Sequence, residues 1–156
     1  MDHSNRLETL VTQYENTLLR AALAILGDVS EAEDAVQDAF VRYLEKKPAF
    51  RDADHQRAWL LKVLANGCKS RLRSEKRRGT VELLDCYPAP DESSKEVLEA
   101  VMALPPKERA AVHLFYYEGY STDEIAAILG QRPGTVRSHL SRARQALREQ
   151  LKGEDL

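Results

Sequence analysis

Cysteine is nearly absent from this 156-residue chain: Cys68 and Cys86 are the two, at no spacing that suits a metal or a redox pair. A disulfide framework is therefore not what holds the fold, and a reducing cytoplasm is the simplest setting. Histidine is sparse as well. His3, His55, His113 and His139 are scattered, with no pair at helical spacing beside a carboxylate or thiol, so neither a metal nor another cofactor is expected. No apolar run is long enough to span a membrane and no signal peptide is recognisable, so membrane insertion is not expected. No catalytic constellation stands out, and with it goes the expectation of a small-molecule substrate. What remains, 43% hydrophobic and 31% charged residues, suits an ordinary globular chain of one domain or two small ones.

The charge is segregated. The formal net charge is −2, yet residues 51–80 carry 9 Lys+Arg against 3 Asp+Glu, and residues 131–156 carry 6 against 3. Residues 1–50 (5 against 9) and 81–130 (3 against 10) are acidic. Two basic blocks separated by acidic ones could touch nucleic acid at two places while the acidic surfaces face protein.

Helical periodicity dominates. Residues 5–26 place Leu7, Leu10, Val11, Tyr14, Leu18, Ala21, Ala22 and Ile25 on one broad apolar face, and Gly27 ends the helix. Ser30 and Glu33 read as a capping box for a second helix running to about Lys46, with Ala32, Ala35, Val36, Ala39, Phe40, Tyr43 and Leu44 inward. Its outward face carries Asp34, Gln37, Asp38, Val41 and Arg42, with no cation inside the chain evident beside the acids. Two readings of that strip stand: carboxylates placed near a positive helix N-terminus, or a surface for a basic protein partner.

After a loop containing Phe50, Asp54 is the expected cap of a third helix, which Ala58, Trp59, Leu60, Val63 and Leu64 bring to the core. Lys62, Asn66, Lys69 and Arg73 follow at steps of four, three and four and so share one face. That stripe is either a solvated basic helix end or, with Phe50 and His55 before it, a track for a single strand with unstacked bases. Residues 79–92 break the period and hold two prolines, which marks a linker. Ser93 and Glu96 suggest a further cap, for a helix to about Ala103 with Val97, Leu98, Val101 and Met102 inward. Another helix is expected over 106–118, with Ala110, Ala111, Leu114, Phe115 and Tyr117 in the core.

The most informative stretch is 121–150. Ser121 and Glu124 form a capping box, Ile125, Ala126, Ile128 and Leu129 an apolar side, Gly130 a turn, and Pro133 the first turn of the next helix. Val136, Leu140, Ala143 and Leu147 then line one stripe, which leaves Arg137, Ser138, Ser141, Arg142 and Gln145 opposite. This is a helix-turn-helix whose second helix either enters a major groove or presents a solvated basic face. The fold class is thus all-α: two small helical domains joined by a short linker, the second ending in the helix-turn-helix.

In sequence, SEAEDAVQDAFVRYLEK, the basic run FRDADHQRAWLLKVLANGCKSRLRS and the terminal STDEIAAILGQRPGTVRSHLSRARQALREQ are familiar together. The chain resembles the extracytoplasmic-function (ECF) group of bacterial RNA polymerase sigma factors over nearly its whole length. The resemblance implies region 2 at 1–78, a linker at 79–92 and region 4 at 93–156. It implies a non-enzymatic initiation factor that binds core RNA polymerase and promoter DNA, with an anti-sigma factor as the expected regulator. On this resemblance Asp34, Gln37, Asp38, Val41 and Arg42 contact core polymerase; Phe50, His55, Lys62, Asn66, Lys69 and Arg73 meet the −10 strand; and Arg137, Ser138, Ser141, Arg142 and Gln145 belong to the −35 reading helix. Ser70 stands where the family usually has aspartate, and Ala65 where it often has a basic residue, so no −10 sequence preference is implied. Gly67 should weaken its helix by roughly 1 kcal/mol relative to alanine. The rival readings are a stand-alone DNA-binding regulator, which would need a dimer interface, and an enzyme using Cys68 or His113, neither of which has an evident partner group.

Overall fold

The computed structural model of the chain describes residues 3–74 and 92–151, with side chains over 6–72 and 96–151. All seven elements in these residues are helical: α1 (His3–Leu26), α2 (Val29–Lys46), α3 (Ala53–Ser74), α4 (Glu92–Met102), α5 (Pro106–Val112, continued by a π turn His113–Tyr117), α6 (Thr122–Leu129) and α7 (Pro133–Gln150). The helices fall into two units, Met1–Glu82 and Leu83–Leu156. Of the linker expected at 79–92, residues 79–91 lie outside the described residues, as does Cys86, while Glu92 already belongs to α4.

In the first unit three helices pack pairwise around Leu18, Leu23, Leu26, Leu60, Leu61 and Leu64. Gly27, at φ 71°, ends α1, and Asp28 at once caps α2 by accepting from the Glu31 amide at 2.9 Å. The cap is therefore Asp28 and not Ser30: an aspartate is as good an N-cap, and its position adds helical residues at the front. Lys47 closes α2 in the left-handed region (φ 46°), with its amide donating to the Tyr43 carbonyl, and Pro48 follows. The cap of α3 is likewise earlier than expected. Asp52 Oδ1 accepts from the His55 amide at 2.8 Å, so Asp54 lies inside the first turn and His55 is helical, not part of the loop. Leu61, Ala65 and Cys68 complete the buried face of α3, while Ala58, Trp59 and Val63 are half-buried.

In the second unit α4 already includes Glu92, ahead of the cap expected at Ser93, and Val97 is exposed while Ala100 and Met102 are buried. Arg109 is buried and donates to the carbonyls of Met102 and Leu104, both at 3.1 Å, which satisfies the end of α4. The expected single helix over 106–118 changes pitch after Val112. The Glu118 amide reaches the His113 carbonyl five residues back at 3.0 Å, and this wider turn leaves Tyr116 and Tyr117 exposed where Tyr117 was expected inside. His113 lies buried beneath, its Nε2 2.9 Å from Glu118 Oε2 and its ring stacked on Tyr117. From Ser121 onward the structure follows the pattern: both halves of the capping box form, Gly130 takes φ 67°, and Pro133 opens α7.

Candidate functional site

Three surfaces collect the chemistry. On α2, Asp34, Gln37, Asp38, Val41 and Arg42 are all exposed, as a helix with Ala32, Ala35, Val36, Ala39 and Phe40 buried requires. Val41 is 50% exposed, and Leu44, expected inward, is 39% exposed. Both line a groove of about 620 Å³ between α1 and α2, together with Leu7, Val11, Leu19 and Phe40, and Glu33, Asp34 and Gln37 stand at the same groove. The strip thus has an apolar floor beside acidic groups. It also has an internal cation. Arg71 of α3 reaches Asp38 Oδ2 at 2.7 Å and Glu31 Oε1 at 3.0 Å, contrary to the reading of a strip without one. The bond to Asp38, then that to Glu31, pushes the Arg71 guanidinium above its ordinary range against its partial burial.

The second surface begins where α3 starts. Phe50 stacks with Tyr43 (centroids 6.4 Å apart) and meets Trp59 and His55 edge-on at 5.8 and 5.3 Å. His55 Nδ1 accepts from the Arg51 amide at 3.2 Å, which ties the loop to the helix. Tyr14 of α1 braces the same corner, its hydroxyl 3.0 Å from Gln56 Oε1. Along α3, Lys62 and Asn66 are exposed and Lys69 is half-buried, while the Arg73 side chain lies outside the described residues. The structure therefore joins Phe50 and His55 in one half-buried aromatic cluster at the head of the basic helix. Tyr43 and Trp59 belong to that cluster too, although periodicity assigned them to the core.

The third surface is α7. Val136, Leu140 and Ala143 are buried and Leu147 half-buried, which leaves Arg137, Ser138, Ser141, Arg142 and Gln145 exposed. Pro133 supplies the fixed φ of the first turn, but Arg132 gives no side-chain cap. Arg142 does not stand alone: its Nη2 lies 3.0 Å from His139 Nδ1 and its Nε 3.5 Å from Glu108 Oε2. Arg144, on another side of the helix, donates from Nε to the Tyr116 hydroxyl at 2.7 Å.

Family models decide what these surfaces belong to. That for Sigma-70 region 2 matches residues 10–78, and that for Sigma-70, region 4 matches 94–147. The chain is 34% identical over 145 residues to the ECF RNA polymerase sigma factor SigM of Mycobacterium tuberculosis, covering 90% of this chain and 74% of that one. It is 33% identical over 153 residues to SigL of the same species, covering 91% and 86%. The chain belongs to the ECF sigma factors. Among solved structures, the sigma factor RpoE of Bartonella quintana, crystallised with the anti-sigma factor NepR, superposes with a TM-score of 0.74 at 26% identity, covering 95% of this chain and 98% of that one.

This sigma factor is accordingly a non-enzymatic initiation factor that directs promoter recognition. Cys68 is fully buried, and burial pushes its thiol up to about 12, so it is no nucleophile at neutral pH. No group of three or more His, Cys, Asp or Glu suited to a metal occurs among the described residues, and no helix among them is long and apolar enough to cross a membrane. Sequence reasoning missed Leu44, Arg71, Glu108 and His139. Leu44 and His139 could not be found by period alone, since each sits at the margin of an apolar stripe. Arg71 and Glu108 act through contacts 33 or more residues away.

Proposed function

We propose that this sigma factor divides its work among the three surfaces. Asp34, Gln37, Asp38, Val41 and Arg42, with Leu44 and the groove behind them, receive core RNA polymerase through a basic segment with an apolar ridge. Lys62, Asn66, Lys69 and Arg73, headed by the cluster around Phe50 and His55, hold the non-template strand of the −10 element. Arg137, Ser138, Ser141, Arg142 and Gln145 read the −35 element in the major groove. Region 2 then spans 1–78, residues 79–92 link, and region 4 spans 93–156. The work is done in the cytoplasm, and the regulator is an anti-sigma factor, a partner of the kind with which the structurally similar RpoE was crystallised.

The observation that carries the reading is the division of α7: Val136, Leu140 and Ala143 are buried in the helix-turn-helix while two arginines, two serines and a glutamine remain exposed on one side. Short hydroxyls permit close approach to the backbone, and arginine pairs with guanine edges. Melting needs no nucleotide hydrolysis, since extruding bases costs a few kcal/mol, which contacts to the flipped bases offset. The test is a titration of the full chain against core polymerase, followed by transcription from promoters substituted one base at a time. Tight core binding and base preferences confined to two elements are expected. DNA binding as a dimer without core affinity would instead favour a stand-alone regulator.

A further inference from the structure

We propose that His139 is a positioning residue for −35 reading: with Glu108 it holds the Arg142 guanidinium by its Nε/Nη2 edge and leaves the Nη1/Nη2 end for the acceptor pair of a guanine. The inference rests on the assignment of Arg142 to base reading and adds how that side chain is aimed.

The geometry is specific. His139 is 8% exposed, buried at the edge of the α7 stripe, and Arg142 follows three residues later on the same side of the helix. Arg142 Nη2 lies 3.0 Å from His139 Nδ1. A guanidinium only donates, so His139 Nδ1 must accept, and the ring must be neutral with its hydrogen on Nε2. Glu108, in the first turn of α5, brings Oε2 to 3.5 Å from Arg142 Nε, and its side chain is 15% exposed. Two different helices therefore grip two adjacent nitrogens of one fork. The Arg142 side chain is nevertheless 58% exposed, and its Nη1/Nη2 end keeps two parallel N–H bonds, the arrangement that matches guanine N7 and O6. Fixing a long, flexible side chain before DNA arrives lowers the ordering cost of the contact.

The surroundings keep the imidazole neutral. Burial, then the positive charges of Arg142 on its own helix and Lys107 on α5, pushes His139 below the ordinary histidine range; Glu108 is the opposing influence. Protonation would remove the acceptor and set a cation against the guanidinium. The clamp is therefore closed at neutral pH and opens only in acid.

The experiment uses the full chain with core polymerase and measures transcription from a promoter and its −35 single-base variants. The readout is the ratio between preferred and substituted base, which cancels the polymerase's own response to pH. Arg142→Ala identifies the position that Arg142 reads. At that position His139→Leu should lower the ratio about two- to tenfold, the effect of one net hydrogen bond. The same change in the Arg142→Ala background should add nothing. His139→Asn, whose Oδ1 can accept near the place of Nδ1, should retain most of the preference. In the wild type the ratio should hold at neutral pH and fall below the ordinary histidine range, whereas His139→Asn should stay flat. A His139→Leu profile equal to wild type, or a loss spread evenly over all −35 positions, overturns the positioning role. If Arg142→Ala itself leaves every ratio unchanged, base reading by Arg142 fails and the positioning role with it. If His139→Leu does not fold, the wild-type pH profile against that of His139→Asn decides.

Discussion

Arg71 bridges two helices by reaching from α3 to Asp38 on α2 at 2.7 Å, while its other terminal nitrogen meets Glu31 at 3.0 Å. The acidic strip and the basic helix are thus one electrostatic unit. Asp34 and Asp38, one turn apart, would repel as an isolated pair, but Arg71 offsets the second charge. A cation arriving at Asp38 from a partner meets a carboxylate already engaged.

The two aspartates should therefore behave differently. Asp34→Asn should weaken core polymerase binding with little change in thermal stability. Asp38→Asn should weaken binding too and also destabilise region 2, by up to about 1 kcal/mol, since exposed pairs contribute no more than that. A core-binding titration beside a circular-dichroism melt distinguishes them. A folded double variant that binds core as the wild type does would remove the strip from the interface.

Asn66 is exposed on the face of α3 opposite buried Leu60, Leu64 and Cys68, so its loss should not touch the core. Asn66→Ala is expected to leave −35 binding intact and reduce open-complex formation. Permanganate footprinting on duplex and premelted promoters measures the step. Partial rescue by premelting supports a role in strand opening; no rescue points to base readout after melting.

At Gly67 an added Cβ would meet nothing within 4 Å. The glycine therefore carries the entropic cost of its freedom without a steric reason, and Gly67→Ala should stabilise α3 by about 0.5–1 kcal/mol. In a unit this small that raises the melting midpoint by several degrees, on the order of 4–8 °C per kcal/mol. A lowered midpoint would show that the helix needs to bend or open at this place.

Ser121 accepts from the Glu124 amide at 3.1 Å while Glu124 returns the bond to the Ser121 amide at 2.9 Å. Ser121→Ala removes one half of this exchange and should cost region 4 about 0.5–2 kcal/mol. Thermal melting checks it; an unchanged midpoint would mean that the remaining Glu124 bond suffices.

The sequence was most legible where local rules agree with packing. From Ser121 to Ala143 the cap, the glycine turn, the proline and the apolar spacing act in concert, and each occupies its expected place. Legibility declined where two residues of equal merit compete. Asp28 and Asp52 outrank Ser30 and Asp54 because each lies where the preceding turn ends, which spacing alone does not reveal. It failed for pitch: Tyr117 looked internal on a period of 3.6 residues, and the wider turn at His113–Tyr117 carries it outside. The exposed residues of the three candidate surfaces were readable as the complement of the core. Their partners Arg71 and Glu108 were not, because long-range contacts leave no mark on a local pattern, and His139, only three residues from Arg142, was hidden by its place at the margin of the apolar stripe.

The joints of region 2 have a consequence for how the chain comes into being. Only Gly27 and Asp28 separate α1 from α2, and six residues separate α2 from α3. Helices so closely connected meet without a large loop-closure cost, and topologies of this kind collapse in microseconds to milliseconds. Synthesis proceeds at roughly 5–20 residues per second, so residues up to Cys68, the last buried position of α3 among the described side chains, can condense while much of region 4 is still untranslated. The acidic strip on α2 would then be assembled before α7 exists.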